Sequence, residues 1–243
     1  MKAQIRALTD LLLDTMFPGD PSCVVCGRIL DPAVRSSLCD ACIRWARRPF
    51  VRASYLCPVC GRPAPAPGRC SECADRPRSF GHVAPAALYK EPIRTLIVGL
   101  KYGRRPDLAR PLGHLMHQAL EHSAYDIAVP VPLHASHLST RQYNQAALLA
   151  VEIARLSGLE PVHALVKHAQ PPSQASLDRA QRLIALNRVF RPNPRAANLV
   201  LNARALLVDD VFTTGATAYA CASILLEMGA RSVDVVVAAA GIP

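Results

Sequence analysis

The chain has 243 residues, 51% of them hydrophobic, and a formal charge of +10. That length holds one good-sized domain and a small one, and no apolar run reaches the roughly 18–20 residues that a membrane span needs. The basic balance favours anionic partners, phosphorylated metabolites or nucleic acid, and does not choose between them.

At the N-terminus Ile5, Leu8, Leu11, Leu12 and Met16 form a helical stripe that ends at Pro18-Gly19. Asp10 and Asp14 interrupt it, which makes it a poor export signal and predicts a cytoplasmic chain. Nine cysteines without an export signal argue against a disulfide framework. Eight of them form four Cys-x-x-Cys pairs: Cys23 and Cys26, Cys39 and Cys42, Cys57 and Cys60, Cys70 and Cys73. Each pair matches a turn that points two thiolates at one ion, and four thiolates complete a tetrahedral structural zinc site. Two Zn²⁺ sites are expected. Sequential pairing is the simplest, and interleaved pairing is open from sequence. Proline-rich stretches between the pairs have little core of their own, so metal is expected to drive their folding. Trp45, set among Arg44, Arg47 and Arg48, reads as a buried anchor, with a stacking platform as the alternative.

From His82 the pattern changes to alternating strands and helices. Residues 83–89 predict a strand, 91–102 a helix and 107–122 a second helix. Residues 126–132 predict a strand closed by prolines, 144–158 a helix, and 162–167 a short strand. A break at 170–174 and a helix from about 178 follow. The end of the chain predicts a strand at 205–208, a helix at 216–228 and a strand at 233–240. This alternation predicts a parallel, doubly wound α/β sheet. The domain division is 1–80 for the helix and double zinc ribbon, and 81–243 for the sheet.

The most informative stretch is Leu206-Leu207-Val208-Asp209-Asp210-Val211-Phe212-Thr213-Thr214-Gly215-Ala216-Thr217. It predicts a strand, an acidic strand end, a tight loop and a helix N-terminus. Unpaired N–H groups and a positive dipole end suit a phosphate there. Thr213, Thr214 and Thr217 add hydroxyls, and Gly215 lets the backbone approach. Asp209 and Asp210 repel phosphate but suit sugar hydroxyls or a divalent metal. A phosphate, vicinal hydroxyls and a metal-bound diphosphate together describe phosphoribosyl pyrophosphate (PRPP), bound through Asp209 to Thr217 with Mg²⁺.

The stretch resembles the PRPP motif of type I phosphoribosyltransferases. The match widens with Leu100-Lys101-Tyr102-Gly103, Val129-Pro130-Val131-Pro132-Leu133, Arg141-Gln142-Tyr143-Asn144-Gln145 and Gln174-Ala175-x-Leu177. In that order, after cysteine pairs, they resemble the ComF (competence protein F, GntX-like) family over nearly the whole chain. The resemblance implies a type I phosphoribosyltransferase-like sheet behind a zinc-ribbon segment with four cysteines per ion. It implies a pyrophosphate loop at Val131, Pro132 and Leu133, with Arg141 and Lys101 as its cations and Tyr143 and Asn144 orienting it. A hood is implied at residues 167–182, with Arg179 and Arg182 carrying charge to it. Phosphoribosyl transfer to an unread acceptor is the activity implied, with Asp209, Asp210, Arg141 and Lys101 as catalytic residues. DNA uptake during competence is implied as its setting. An accessory protein that binds single-stranded DNA and uses the PRPP fold without turnover is the alternative. Gln142 stands where the family usually has glycine, so a left-handed backbone there would be strained.

Overall fold

The structure is a computed structural model. It describes residues 22–31, 38–46, 56–64, 66–74, 79–120, 124–134, 136, 142–168 and 189–241. The N-terminal helix expected before residue 19, Arg141, most of the hood with Arg179 and Arg182, and the break and helix expected from 170 onward lie outside the described residues.

The sheet contains β1 (Val83–Pro85), β2 (Ile127–Pro130), β3 (Glu160–Pro161), β6 (Arg204–Phe212) and β7 (Ser232–Ala240). All neighbours are parallel, in the order β1-β7-β6-β2-β3. β4 (Leu165–Lys167) and β5 (Phe190–Pro192) form a separate antiparallel pair. The strand expected at 162–167 therefore does not belong to the main sheet. Its partner β5 follows a break of more than twenty residues in sequence, a pairing that local pattern does not signal.

Side chains alternate across the sheet and build a core on each side. Ala205, Leu207, Val233, Val235 and Val237 face one core, with Ala218, Cys221 and Leu225. The last three belong to the helix Ala216–Glu227. Leu206, Val208 and Val236 face the other core. It is filled from Ile93–Tyr102, Ala109–Ala119 and Gln145–Ser157, through Leu96, Leu100, Leu112, Met116, Leu149 and Ile153. These strands are almost wholly apolar because both faces are covered. Helices on both faces make the expected doubly wound sheet.

In chain order the helices are α1 (Asp40–Ala46), α2 (Ser71–Ala74), α3 (Ile93–Tyr102), α4 (Ala109–Ala119), α5 (Gln145–Ser157), α6 (Ala197–Val200) and α7 (Ala216–Glu227). α1 and α2 belong to two similar halves of the cysteine segment. In each half an isolated antiparallel bridge, Ser22 with Ile29 or Leu56 with Pro63, encloses a turn. The first cysteine of each turn is bonded both ways. Cys23 N–H donates to Arg28 O at 2.7 Å and Cys57 N–H to Arg62 O at 2.9 Å, while Gly27 and Gly61 donate back at 2.8 Å. Those two glycines hold φ of +70° and +64°, a conformation that disfavours other residues. Trp45, expected as a buried anchor, is instead 40% exposed on α1. The other side of that short helix carries the buried contacts through Cys42. Among the described residues no helix is long and apolar enough to cross a membrane.

Candidate functional site

β6 is the strand from which the site grows. The sequence pattern predicts its end before Asp209, but it runs on to Phe212, and Asp209, Val211 and Phe212 pair with Val237, Ala239 and Ala240. The long β7 beside it keeps the ladder going past the acidic pair. Through Asp210 the side chains alternate, so the two aspartates go to opposite faces. Beyond it Val211 packs toward the core of Leu206 and Val208, and Phe212 toward that of Leu207, the reverse of strict alternation.

Asp209 follows Leu207 onto the α7 face. There it lines a pocket with Thr213, Thr214, Gly215 and Thr217, floored by Val235 and Val237. Gly215 has φ +78° and is the N-cap of α7. No side chain caps that helix; Thr214 Oγ1 accepts only from the Ala216 N–H, at 3.4 Å. The first-turn amides of a 12-residue helix thus open into the pocket that holds Asp209. Burial against the sheet, and then repulsion from Asp210, push the Asp209 carboxyl up to about 7. Its Oδ1 accepts the Asp210 N–H at 2.9 Å, and the charges of Lys101 and Lys167 oppose the rise.

Asp210 follows Val208 onto the other face, where Lys101 Nζ lies 2.8 Å from its Oδ1. Only 21% of the lysine side chain and 13% of the aspartate side chain are exposed. Lys101 sits in the last turn of α3, and Tyr143 holds that turn by donating its Oη–H to Leu100 O at 2.8 Å. Asn144 continues the chain of contacts. Its Oδ1 caps α5 by accepting the Ala146 N–H at 3.0 Å, and its Nδ2 donates to Val131 O at 3.0 Å. Val131 N–H in turn donates to Val208 O at 2.9 Å. The loop of Val131, Pro132 and Leu133 therefore leaves the sheet beside the aspartates. Lys101, Tyr143, Asn144 and this loop, distant in sequence, come together at one corner. Gln142 is at φ +67°, so the position does demand a left-handed backbone from a residue that adopts it at a cost.

The thiols fall into two sequential clusters, Cys23, Cys26, Cys39 and Cys42, then Cys57, Cys60, Cys70 and Cys73. Within each, the sulfurs lie within 4.8 Å of one another, which excludes interleaving. Cys26 Sγ to Cys39 Sγ and Cys60 Sγ to Cys70 Sγ are both 3.7 Å. A tetrahedron with Zn–S bonds of about 2.3 Å has sulfurs about 3.8 Å apart, so the donor sets fit zinc. A disulfide, at about 2.05 Å, does not fit these distances. Burial opposes ionisation of Cys23 and Cys57, yet backbone hydrogen bonds bring both down to about 6. Burial raises Cys42 and Cys60 in the same clusters, so one thiol of each set leads toward the thiolate that a metal needs.

Lys167 enters the sequence pattern only as the end of a short strand and the first residue of the implied hood. It ends β4, lies 5.6 Å from the centre of the Phe190 ring, and acts electrostatically on Asp209.

Comparison with known proteins bears on the family. Residues 12–74 match the double zinc ribbon domain family. The DNA utilization protein YhgH of Salmonella typhi is 30% identical over 82% of this chain and 88% of its own. The chain belongs to the ComF family. Another member, competence protein F of Haemophilus influenzae, is 25% identical over 88% of this chain and 94% of its own. Among solved structures, the glutamine PRPP amidotransferase of B. subtilis aligns with a TM-score of 0.41 and 18% identity, over 58% of this chain and 30% of that one.

Proposed function

We propose that this ComF protein binds PRPP in the Asp209–Thr217 pocket and transfers its phosphoribosyl group to an acceptor, in the service of DNA uptake. One observation carries the reading: an uncapped helix N-terminus, a threonine-rich loop turning through Gly215, and a carboxylate share one pocket. The 5′-phosphate takes the amides of Thr214 to Thr217 and the threonine hydroxyls. Asp209 accepts from the ribose hydroxyls and, when ionised, favours the positive charge that develops on the sugar. Asp209 is also the carboxylate that would hold Mg²⁺ together with diphosphate oxygens, and the ion would supply charge neutralisation at the leaving group. Lys101, oriented by Asp210, and Arg141 serve the pyrophosphate beside Pro132 and Leu133. Tyr143 and Asn144 act by holding that corner together. We divide the chain accordingly into a metal-bound segment, 1–80, and a PRPP domain, 81–243.

The names of the relatives, DNA utilization and competence, support the link to DNA. A second reading has its own observation. Tyr102 is 68% exposed and stands two residues before Arg104, an aromatic near a cation of the kind that stacks on single-stranded DNA, while the neighbouring Arg105 is bound by Asp107 at 2.7 Å. In that reading the protein binds DNA with a steep salt dependence and does not turn PRPP over.

Calorimetric titration of the full chain with PRPP and Mg²⁺ at pH 8 tests the first reading. Wild type should bind, Asp209→Asn should bind at least about tenfold more weakly, a change of about 1.4 kcal/mol, and pyrophosphate should be released only with an acceptor. No binding by wild type, or an unchanged affinity in Asp209→Asn, overturns it.

A further inference from the structure

The two metal clusters differ in what they touch. Cys57, Cys60, Cys70 and Cys73 are buried in the same apolar cluster as Phe80 and Phe212. The Phe80 and Phe212 rings meet edge to face, with centroids 6.1 Å apart and planes at 88°. Phe212 is the last residue of β6, and Thr213 to Gly215 follow it directly. The second cysteine turn is bonded into the sheet as well. Val83 N–H of β1 donates to Val59 O at 2.8 Å, and a Cβ on Gly61 would fall 2.3 Å from Pro85 Cγ. One residue before Phe80, the Ser79 and Ser223 hydroxyls meet at 2.6 Å and tie the connection to α7. The Arg62 guanidinium lies beside the Cys60 and Cys70 sulfurs, at the same corner. The first cluster lies on the far side: Cys23, Cys39 and Cys42 pack with Leu38, Ile93 and Leu96.

We infer that the second tetrathiolate centre is the buttress of the phosphate loop. The metal that closes it fixes the wall against which Phe80 rests, Phe80 holds Phe212, and Phe212 sets where Thr213 to Gly215 stand. Close-packed interiors transmit such displacements because a side chain that loses its wall must shift or leave a void. Phe80 is thereby a positioning residue for a ligand that it does not touch. The ligand's identity rests on the PRPP reading; the coupling does not.

Hydrogen exchange by mass spectrometry on the full zinc-loaded chain tests this, followed in peptides covering residues 208–218. Phe80→Ala should keep two zinc ions per chain yet raise exchange in the loop about tenfold and weaken PRPP binding by a similar factor. Phe80→Leu should restore most of both. Cys70→Ser should lose one zinc and match Phe80→Ala, whereas Cys39→Ser should lose one zinc and leave loop exchange within about twofold of wild type. Unchanged loop exchange in Phe80→Ala overturns the inference, and so does an equal response to the two cysteine variants. Phe80→Ala retains all eight ligands, so it decides the matter even where a cysteine variant misfolds. If wild type fails to bind PRPP while this exchange pattern holds, the functional reading falls and the buttress stands.

Discussion

The two faces of β6 use adjacent aspartates for different ends. On one face Asp210 meets Lys101 at 2.8 Å under a cover of leucine and isoleucine side chains from α3, α4 and α5. On the other, Asp209 looks into an open pocket under α7, whose Ala218, Ala220 and Ala222 bring the helix close to the strand. The same residue type, one position apart, becomes an ion pair or a ligand-facing acid according to the direction in which the strand turns it. A cysteine cluster joins the apolar core of each face, the first that of the ion-pair face and the second that of the pocket face. One carboxylate can thus hold Lys101 in place while the other faces the pocket.

Metal removal should disturb both faces and produce the largest effect. Structural zinc contributes roughly 10–16 kcal/mol to folding in finger peptides, more than the short α1 and α2 could supply. A chelator with a mild thiol reagent should release about two zinc ions per chain, measured by atomic absorption. Exchange protection should then be lost at the bonded amides of the described cysteine segment, such as Cys23 and Cys57, and at Val83, whose N–H is bonded to Val59 O. Metal-replete, reduced protein with no zinc would break the picture of a metal cluster in each core.

A smaller effect should separate the aspartates. Lys101→Met leaves Asp210 almost buried without its cation. Breaking a fully buried pair costs about 3–5 kcal/mol, and the one-fifth exposure of the lysine reduces this to about 1–3 kcal/mol. Adding Asp210→Asn should recover much of the loss, because it removes the stranded charge. Asp209→Asn should cost no stability at pH 8, since it deletes a carboxylate that the fold disfavours in its charged form. Urea unfolding of the four proteins gives the comparison, and equal losses in Lys101→Met and Asp209→Asn would erase the difference between the faces.

Much of this was legible in the sequence where the signal is local. The Cys-x-x-Cys spacing, the turn and helix start from Thr213 to Thr217, and the helix stripes at 91–102, 107–122 and 144–158 are each short-range patterns, and among the described residues each is found close to where the pattern predicts. The Asn144 cap is likewise a short-range signal. What the pattern did not convey depends on distant partners. The extension of β6 past Asp209 depends on the length of β7, and the faces of the two aspartates depend on that extension. The Lys101–Asp210 pair joins residues more than a hundred positions apart, and β4 meets β5 only after the fold has formed. The contact of Phe80 with Phe212 is of the same kind, since an aromatic in a linker gives no sign of its partner.

The smallest effect concerns protons on the Asp209 face. Its carboxyl is raised from an ordinary 3.8 to about 7 by burial and by Asp210. The folded protein therefore keeps this proton where the unfolded chain has lost it, and the stabilisation from this group is complete below pH 3.8 and lost as pH rises toward 7. Asp209→Asn should flatten that part of the stability profile, whereas Asp210→Asn should leave a slope there. Ligand binding should run the other way. The ribose hydroxyls and Mg²⁺ need the ionised carboxylate, so PRPP affinity should rise through pH 7 and level off above it. Below that midpoint the loss should approach about tenfold per pH unit, the limit for a single required ionisation. In Asp209→Asn the affinity should be low and should follow only the ionisation of the ligand's own phosphates, whose second pKa is about 6, without the further step near pH 7. A wild-type profile without a step near pH 7 would mean that Asp209 does not meet the ligand as a carboxylate, and the pocket face would then have to be read through its threonines and helix amides alone.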